Sequence, residues 1–139
     1  MGAQTPMLDV ELIARFEREV RRDGRFAPEA FEFLHKALEA AAVSKYGGGG
    51  RRRAQHVSGP ELCRALRDLA VERWGPLAPA VLRYWNIHET RDFGEMVYLM
   101  IDLGIMGKQP SDDIHDFDHV YEFSAAFGSY QIELDRRAG

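Results

Sequence analysis

From Phe93 to Leu103 the chain is apolar on almost every side. Phe93, Met96, Val97, Leu99, Met100, Ile101 and Leu103 leave little polar surface beyond Asp92, Glu95 and Asp102. A helix of that kind has no face to turn to water, so it belongs in the centre of a fold with other elements leaning on it. The stretch predicts a helix from about Arg91 to Leu103 that Thr90 caps. Gly104 followed by Ile105 has the form of a glycine stop with its hydrophobic contact.

The preceding sequence supplies amphipathic helices to cover that pillar. Leu8, Leu12, Ile13, Phe16 and Val20 recur at helical spacing, with Glu11, Arg15, Glu19 and Arg22 on the other face. They predict a first helix from about Pro6 to Asp23, capped by Thr5 and ended by Gly24. Pro28 opens a second helix with Phe31, Leu34, Leu38 and Ala41 or Ala42 as its stripe, and Gly47 to Gly50 end it. Ser58 and Glu61 make a capping box for a third, in which Leu62, Leu66, Leu69, Ala70 and Trp74 follow at helical spacing until Gly75. Pro76 opens a short fourth helix with Leu77, Val81, Leu82 and Trp85 inward. Asn86 can end it before Thr90 begins the next.

Beyond Gly104 the pattern divides. Residues 106–113 read as a loop. Phe117, His119, Tyr121 and Phe123 alternate like a strand, whereas Phe117, Val120, Tyr121 and Phe127 suit a helix equally well. Tyr130, Ile132 and Leu134 alternate as a short terminal strand would. The expected fold is mainly α, a compact bundle of about five or six short helices with room for a small β-hairpin or strand in the C-terminal third. With 139 residues it is a single domain, 1–139, in which 47–55 form a flexible Gly/Arg loop and 128–139 a loosely attached tail.

Charge and cysteine narrow the functional classes. Lys and Arg number 18 against 22 Asp and Glu, a net −4, and Glu89 to Gly139 alone holds 4 basic against 11 acidic residues. An acidic chain is a poor general nucleic-acid binder, since phosphate contacts supply most of that affinity. Cys63 is the only cysteine, which excludes an internal disulfide and a multi-cysteine zinc site and suits a reducing compartment. The start lacks the pattern of a secretory signal, and Val97 to Ile101, the longest wholly apolar stretch, is far below the roughly 20 residues that span a bilayer. A soluble, cytoplasmic protein without membrane association is expected.

Several short patterns occur in a fixed order: His56-Val57-Ser58-Gly59-x-Glu61-Leu62, Trp74-Gly75-Pro76, Leu82-x-x-Trp85-x-Ile87, Asp92-Phe93-Gly94-Glu95-x-Val97, Asp116-Phe117, Tyr121-x-Phe123 and Phe127. As a set they resemble a small uncharacterised bacterial protein family first noticed in Verrucomicrobia and Planctomycetes. The resemblance covers about Arg25 to Phe127. It implies an autonomous domain and carries no catalytic residue with it.

Individual clusters offer chemistry but not completed machinery. His115 and His119 share one face if helical, as two ligands of one metal must, and Asp112 or Asp113 can add a carboxylate, the basis of a metal-dependent hydrolase reading. No Glu follows the first histidine, so the H-E-x-x-H motif is absent. Asp92-Phe93-Gly94 spells a kinase magnesium motif without the rest of a kinase. Phe93 reads instead as a core anchor, with Gly94 permitting close helix packing. Arg51, Arg52 and Arg53 lack the G-K-[ST] ending of a phosphate loop yet can grip nucleic acid or an acidic partner. Cys63 reads as a small packing residue, and Trp74 and Trp85 as core. The leading expectation is a non-enzymatic protein-binding or adaptor domain without a cofactor, using Phe117, Tyr121, Phe123 and Phe127 as its contact surface. A helix-turn-helix or winged-helix nucleic-acid binder built on the Arg91–Leu103 helix is the first alternative, and the hydrolase the second.

Overall fold

The computed structural model describes residues 2–3, 10–47 and 56–127. The Arg51–Arg53 segment, the tail 128–139 with its expected strand at Tyr130–Leu134, and the cap at Thr5-Pro6 lie outside the described residues. The fold is mainly helical, as the periodicity predicts. Helix α1 spans Val10–Asp23, α2 Pro28–Tyr46, α3 Gly59–Trp74, α4 Ala78–Tyr84 and α5 Thr90–Asp102, with a 3-10 turn at Gly75–Leu77. Strand β1 (Gly2–Ala3) pairs antiparallel with β2 (Met106–Gly107), Gly2 opposite Gly107 and Ala3 opposite Met106. The strand expected in the C-terminal third is thus present at two residues, and its partner is the chain start rather than a hairpin neighbour.

Local signals explain the boundaries. Gly24 and Gly47 stand at φ +71° and +87° beyond the ends of α1 and α2, a left-handed conformation that costs glycine nothing. At the start of α3 the Ser58 hydroxyl accepts from the Glu61 amide at 3.2 Å, while the Glu61 carboxylate accepts from the Ser58 amide at 2.8 Å. Asn86 leaves α4 at φ +68°, and its side-chain amide donates to the Arg25 carbonyl at 2.7 Å, fastening this turn to the α1–α2 turn.

The pillar is where the sequence puts it. Phe93, Met96, Val97 and Met100 of α5 are buried, and Asp102 is the only exposed residue of that helix. Helices α2 and α3 lie side by side and share Ala30, Leu34, Ala37, Leu62, Leu66 and Ala70 in one core. Phe33, Trp74 and Trp85 form a triangle of rings with centres 5.0, 5.7 and 5.4 Å apart, so both tryptophans serve the core as expected. Helix α1 packs on α2, where Phe16 meets Phe31 edge-on at 5.5 Å.

The cap of α5 differs from the expectation. The Asp92 carboxylate reaches back to accept from the amides of His88 and Glu89, at 2.8 and 3.2 Å. Thr90 is released from capping and turns inward. Its buried hydroxyl donates to the Phe117 carbonyl at 2.6 Å and accepts from the Val120 amide at 3.2 Å.

Those bonds hold a strap formed by residues 106–127, which crosses α5 and α3. It contains a 3-10 helix at Ile114–Phe117 and a helical turn at 123–127, and no strand at Phe117–Phe123. Phe117 is wholly buried in a seat made by two glycines. A Cβ on Gly94 would stand 2.8 Å from the Phe117 Cγ, and one on Gly59 would stand 3.0 Å from the Asp116 Cβ and 3.2 Å from the Phe117 ring. Gly94 does permit a close approach, though it is the strap that approaches.

Candidate functional site

The aromatic surface expected from Phe117, Tyr121, Phe123 and Phe127 is not a surface. Phe117 and Phe127 are fully buried, and Tyr121 and Phe123 are half-buried. Phe123 sits 6.1 Å from Phe93 and 5.6 Å from Phe127. The Tyr121 hydroxyl donates to the Cys63 carbonyl at 2.7 Å, and its burial raises the phenol above its ordinary range. For Phe117 the cause is the room left by Gly59 and Gly94, and a large ring gains more inside than at a rim.

The histidine cluster also comes apart. Its 3-10 helix ends at Phe117, and His119 follows at φ +50°, so His115 and His119 share no helical face. His115 Nδ1 lies 2.9 Å from Asp118 and His119 Nδ1 3.9 Å from Glu122. Asp112 is buried elsewhere: it accepts from the Gln109 amide at 2.8 Å and lies 3.6 Å from His56. Burial alone would raise its carboxyl, but hydrogen bonding led by the Gln109 amide holds it below the usual range. Among the described residues no three His, Cys, Asp or Glu side chains are placed to hold a metal ion.

Asp118 belongs instead to a chain of ion pairs along the outside of α5. Arg25 reaches Glu95 at 3.0 Å, Arg91 reaches Glu95 at 3.1 Å and Asp118 at 2.9 Å, and Asp118 meets His115. His115 and Arg91 hold the Asp118 carboxyl low. Glu95, which burial would raise, is held low by Arg91 and Arg25. The chain ties the α1–α2 turn, α5 and the strap together.

Cys63 is buried in α3, and desolvation pushes its thiol up to about 12 against a small opposing pull from Arg64. That is the reverse of what activates a nucleophile. Glu61, held at about 2 by the Ser58 amide and by Lys45, is fully engaged as a cap.

Among the described residues, two open depressions lie away from the sequence-predicted site residues. The larger, about 480 Å³, runs between α2 and α3. Its walls carry Lys45, Arg64 and Arg67 alongside Glu61, Asp68 and Glu72, so the charges balance. Ala40, Ala41 and Ala65 make part of its floor, and their small side chains are what leave the space. The smaller, about 200 Å³, is bounded by α4, the α4–α5 turn and the 123–127 turn. Alanines at 40, 41 and 65 were the only available signal for the first, and they read equally well as helix-forming residues.

Comparison with protein-family models, with curated proteins and with solved structures finds no match to this chain. Among the described residues no helix is long and apolar enough to cross a membrane.

Proposed function

We propose that this chain is a non-enzymatic binding domain whose partner is a polypeptide segment seated along the α2–α3 groove. The observation that carries this reading is the groove's lining: three cations and three carboxylates above an alanine floor. Lys45 pairs with Glu61 and Arg67 with Asp68, so Arg64 and Glu72 are the charges that suit an extended or helical segment bearing both signs. The lining does not suit nucleic acid, whose single sign of charge would meet three carboxylates. The groups that could do chemistry are engaged in holding the fold: Glu61 and Asp92 as caps, Asp112 in its loop, Asp118 in the ion-pair chain and Cys63 in the core.

The helix-turn-helix alternative needs α5 to enter a nucleic-acid groove, and in α5 Asp102 is the only fully exposed residue while the half-buried Arg91 is tied to Glu95 and Asp118. The cytoplasm is the compartment proposed with this reading, supported by a single buried cysteine. Membership of the family resembled in sequence is likewise proposed. Its support is that Ser58, Gly59, Glu61, Asp92, Phe93, Gly94 and Phe117 all fall where the strap is seated or a helix begins.

Co-purification from native extract with the unmodified chain and with an Ala40→Trp variant tests the function. Ala40 is exposed and lines the groove, so the variant fills the space without touching the core. A stoichiometric partner that is lost with A40W is the expected result. A partner that binds both proteins equally, or none at all, overturns the reading.

A further inference from the structure

The smaller depression has a different chemistry. Its walls are Pro79 and Arg83 of α4, Ile87 and His88 of the following turn, and Phe123 and Ser124 of the last helical turn. Pro79 and Ile87 are buried and Phe123 half-buried, so the floor is apolar, while Arg83, His88 and Ser124 stand at the exposed rim. Among the described residues no carboxylate lines it. Arg83 makes no ion pair among the described residues, whereas Arg25 and Arg91, the arginines nearest the α4–α5 turn in the ion-pair chain, each make two. Glu89 and Glu122, the sequence neighbours of His88 and Phe123, are exposed but do not line the cleft, and Asp92 is turned away to cap α5 through the amides of His88 and Glu89. The His88 ring is held by Asn86, whose Oδ1 lies 3.0 Å from Nε2, and Asn86 is itself fastened to the Arg25 carbonyl.

We infer that this cleft, separate from the α2–α3 groove, binds a carboxylate that carries a small apolar group. A guanidinium without a partner offers the planar fork that a carboxylate fits, and Ser124 adds a hydroxyl donor beside it. The buried proline, isoleucine and phenylalanine take the apolar part, an arrangement of a few polar groups above a greasy floor that is general for small-ligand sites. The volume equals that of roughly six or seven water molecules in the liquid, which suits a short branched acid. A phosphate would find one cation and a floor that cannot solvate its second charge. The carboxylate can be that of a free acid or the C-terminus of a polypeptide ending in an apolar residue, since both present the same atoms.

Amide chemical shifts of the full chain, followed by NMR during titration, test this. The probes are isovalerate, isovaleramide, and a short acetylated peptide ending in leucine as the free acid and as the amide. Isovalerate should shift Ile87, His88, Phe123 and Ser124 saturably, and isovaleramide should not. Arg83 is exposed, so Arg83→Met should leave the spectrum folded and weaken binding about tenfold or more, the loss expected for a charge-assisted pair. A peptide acid that binds more tightly than isovalerate assigns the site to chain ends, and one that binds equally or more weakly assigns it to free acids. Absence of saturable shifts with either acid at its solubility limit, equal binding of acid and amide, or unchanged binding by R83M overturns the inference.

Discussion

The hydroxyl of Thr90, at the first residue of α5, bonds both ways across the fold: it donates to the Phe117 carbonyl at 2.6 Å and accepts from the Val120 amide at 3.2 Å. One buried oxygen therefore satisfies two backbone groups of a segment that has little regular structure of its own. The stability of the C-terminal third should be read out by changes at this side chain.

Thr90→Val keeps the shape and removes both bonds, leaving a buried carbonyl and an amide without partners. The expected loss is about 2–4 kcal/mol, because unsatisfied buried polar groups cost more than the bonds themselves contribute. Thr90→Ser should retain most of the stability. Urea unfolding monitored by tryptophan fluorescence distinguishes the two, and equal midpoints for T90V and T90S would remove the hydroxyl's assigned role.

Gly94→Ala puts a methyl where Phe117 Cγ would be 2.8 Å away. Alanine favours helix, so on propensity alone the change should stabilise by about 1 kcal/mol. Overpacking should outweigh that and give a net loss of about 1–3 kcal/mol. A double variant, Gly94→Ala with Phe117→Leu, should be less damaged than the two single changes predict together. Additive losses would show that the two positions do not meet.

Glu61 gives a pH prediction of definite sign. Its carboxyl is lowered from 4.5 to about 2 by the Ser58 amide, with Lys45 adding to it against the opposing effect of burial. A depressed folded value means the contribution is complete above 4.5 and disappears as pH falls towards 2. The side chain is 33% exposed, so solvent screening keeps the effect near about 1 kcal/mol. The stability gap between the unmodified chain and Glu61→Gln should be widest near neutrality and close on acidification from pH 5 to pH 2. A gap that stays constant through that range contradicts the assignment.

Cys63 reports opening of the α3–strap contact. A buried thiol raised to about 12 should resist a thiol reagent at pH 8 until the protein opens. Tyr121→Phe removes the hydroxyl that bonds the Cys63 carbonyl, and a lost hydrogen bond of about 1 kcal/mol should speed labelling about fivefold. Labelling as fast as that of the unfolded chain, or indifferent to Y121F, would contradict the described packing.

Val97 tests the pillar. Its side chain is fully buried, and Val97→Asp places an unpaired charge in the core, so no cooperative unfolding transition should remain. Leu77 is 56% exposed, and Leu77→Asp should stay within about 0.5 kcal/mol of the unmodified chain.

The parts of the fold that could be read in advance are those with local causes. Ser58 and Glu61 announce α3 because both halves of the cap lie within four residues. Gly24 and Gly47 end helices because only the backbone at one position is involved. The oily run of α5 demands burial whatever surrounds it. Phe117, Tyr121 and Phe123 go inward because of partners far away in sequence, Gly59 and Gly94 for Phe117, Cys63 for Tyr121 and Phe93 for Phe123, while their spacing suits strand and helix alike. Thr90 illustrates the same limit: beside a helix start its hydroxyl has the form of a cap, and only the fold shows that Asp92 has taken that task. The Arg83–Ser124 cleft joins residues 41 positions apart, and neither carries a motif.

The seat of Phe117 sets where the chain can be cut. Ending the polypeptide after Gly104 would leave α3 and α5 facing each other across a void the size of a benzene ring, lined by glycine and unable to close without moving one helix. A fragment stopping there should be sticky and poorly ordered even though every long helix is intact. The shortest self-sufficient version of this protein must extend through its last described aromatic residue.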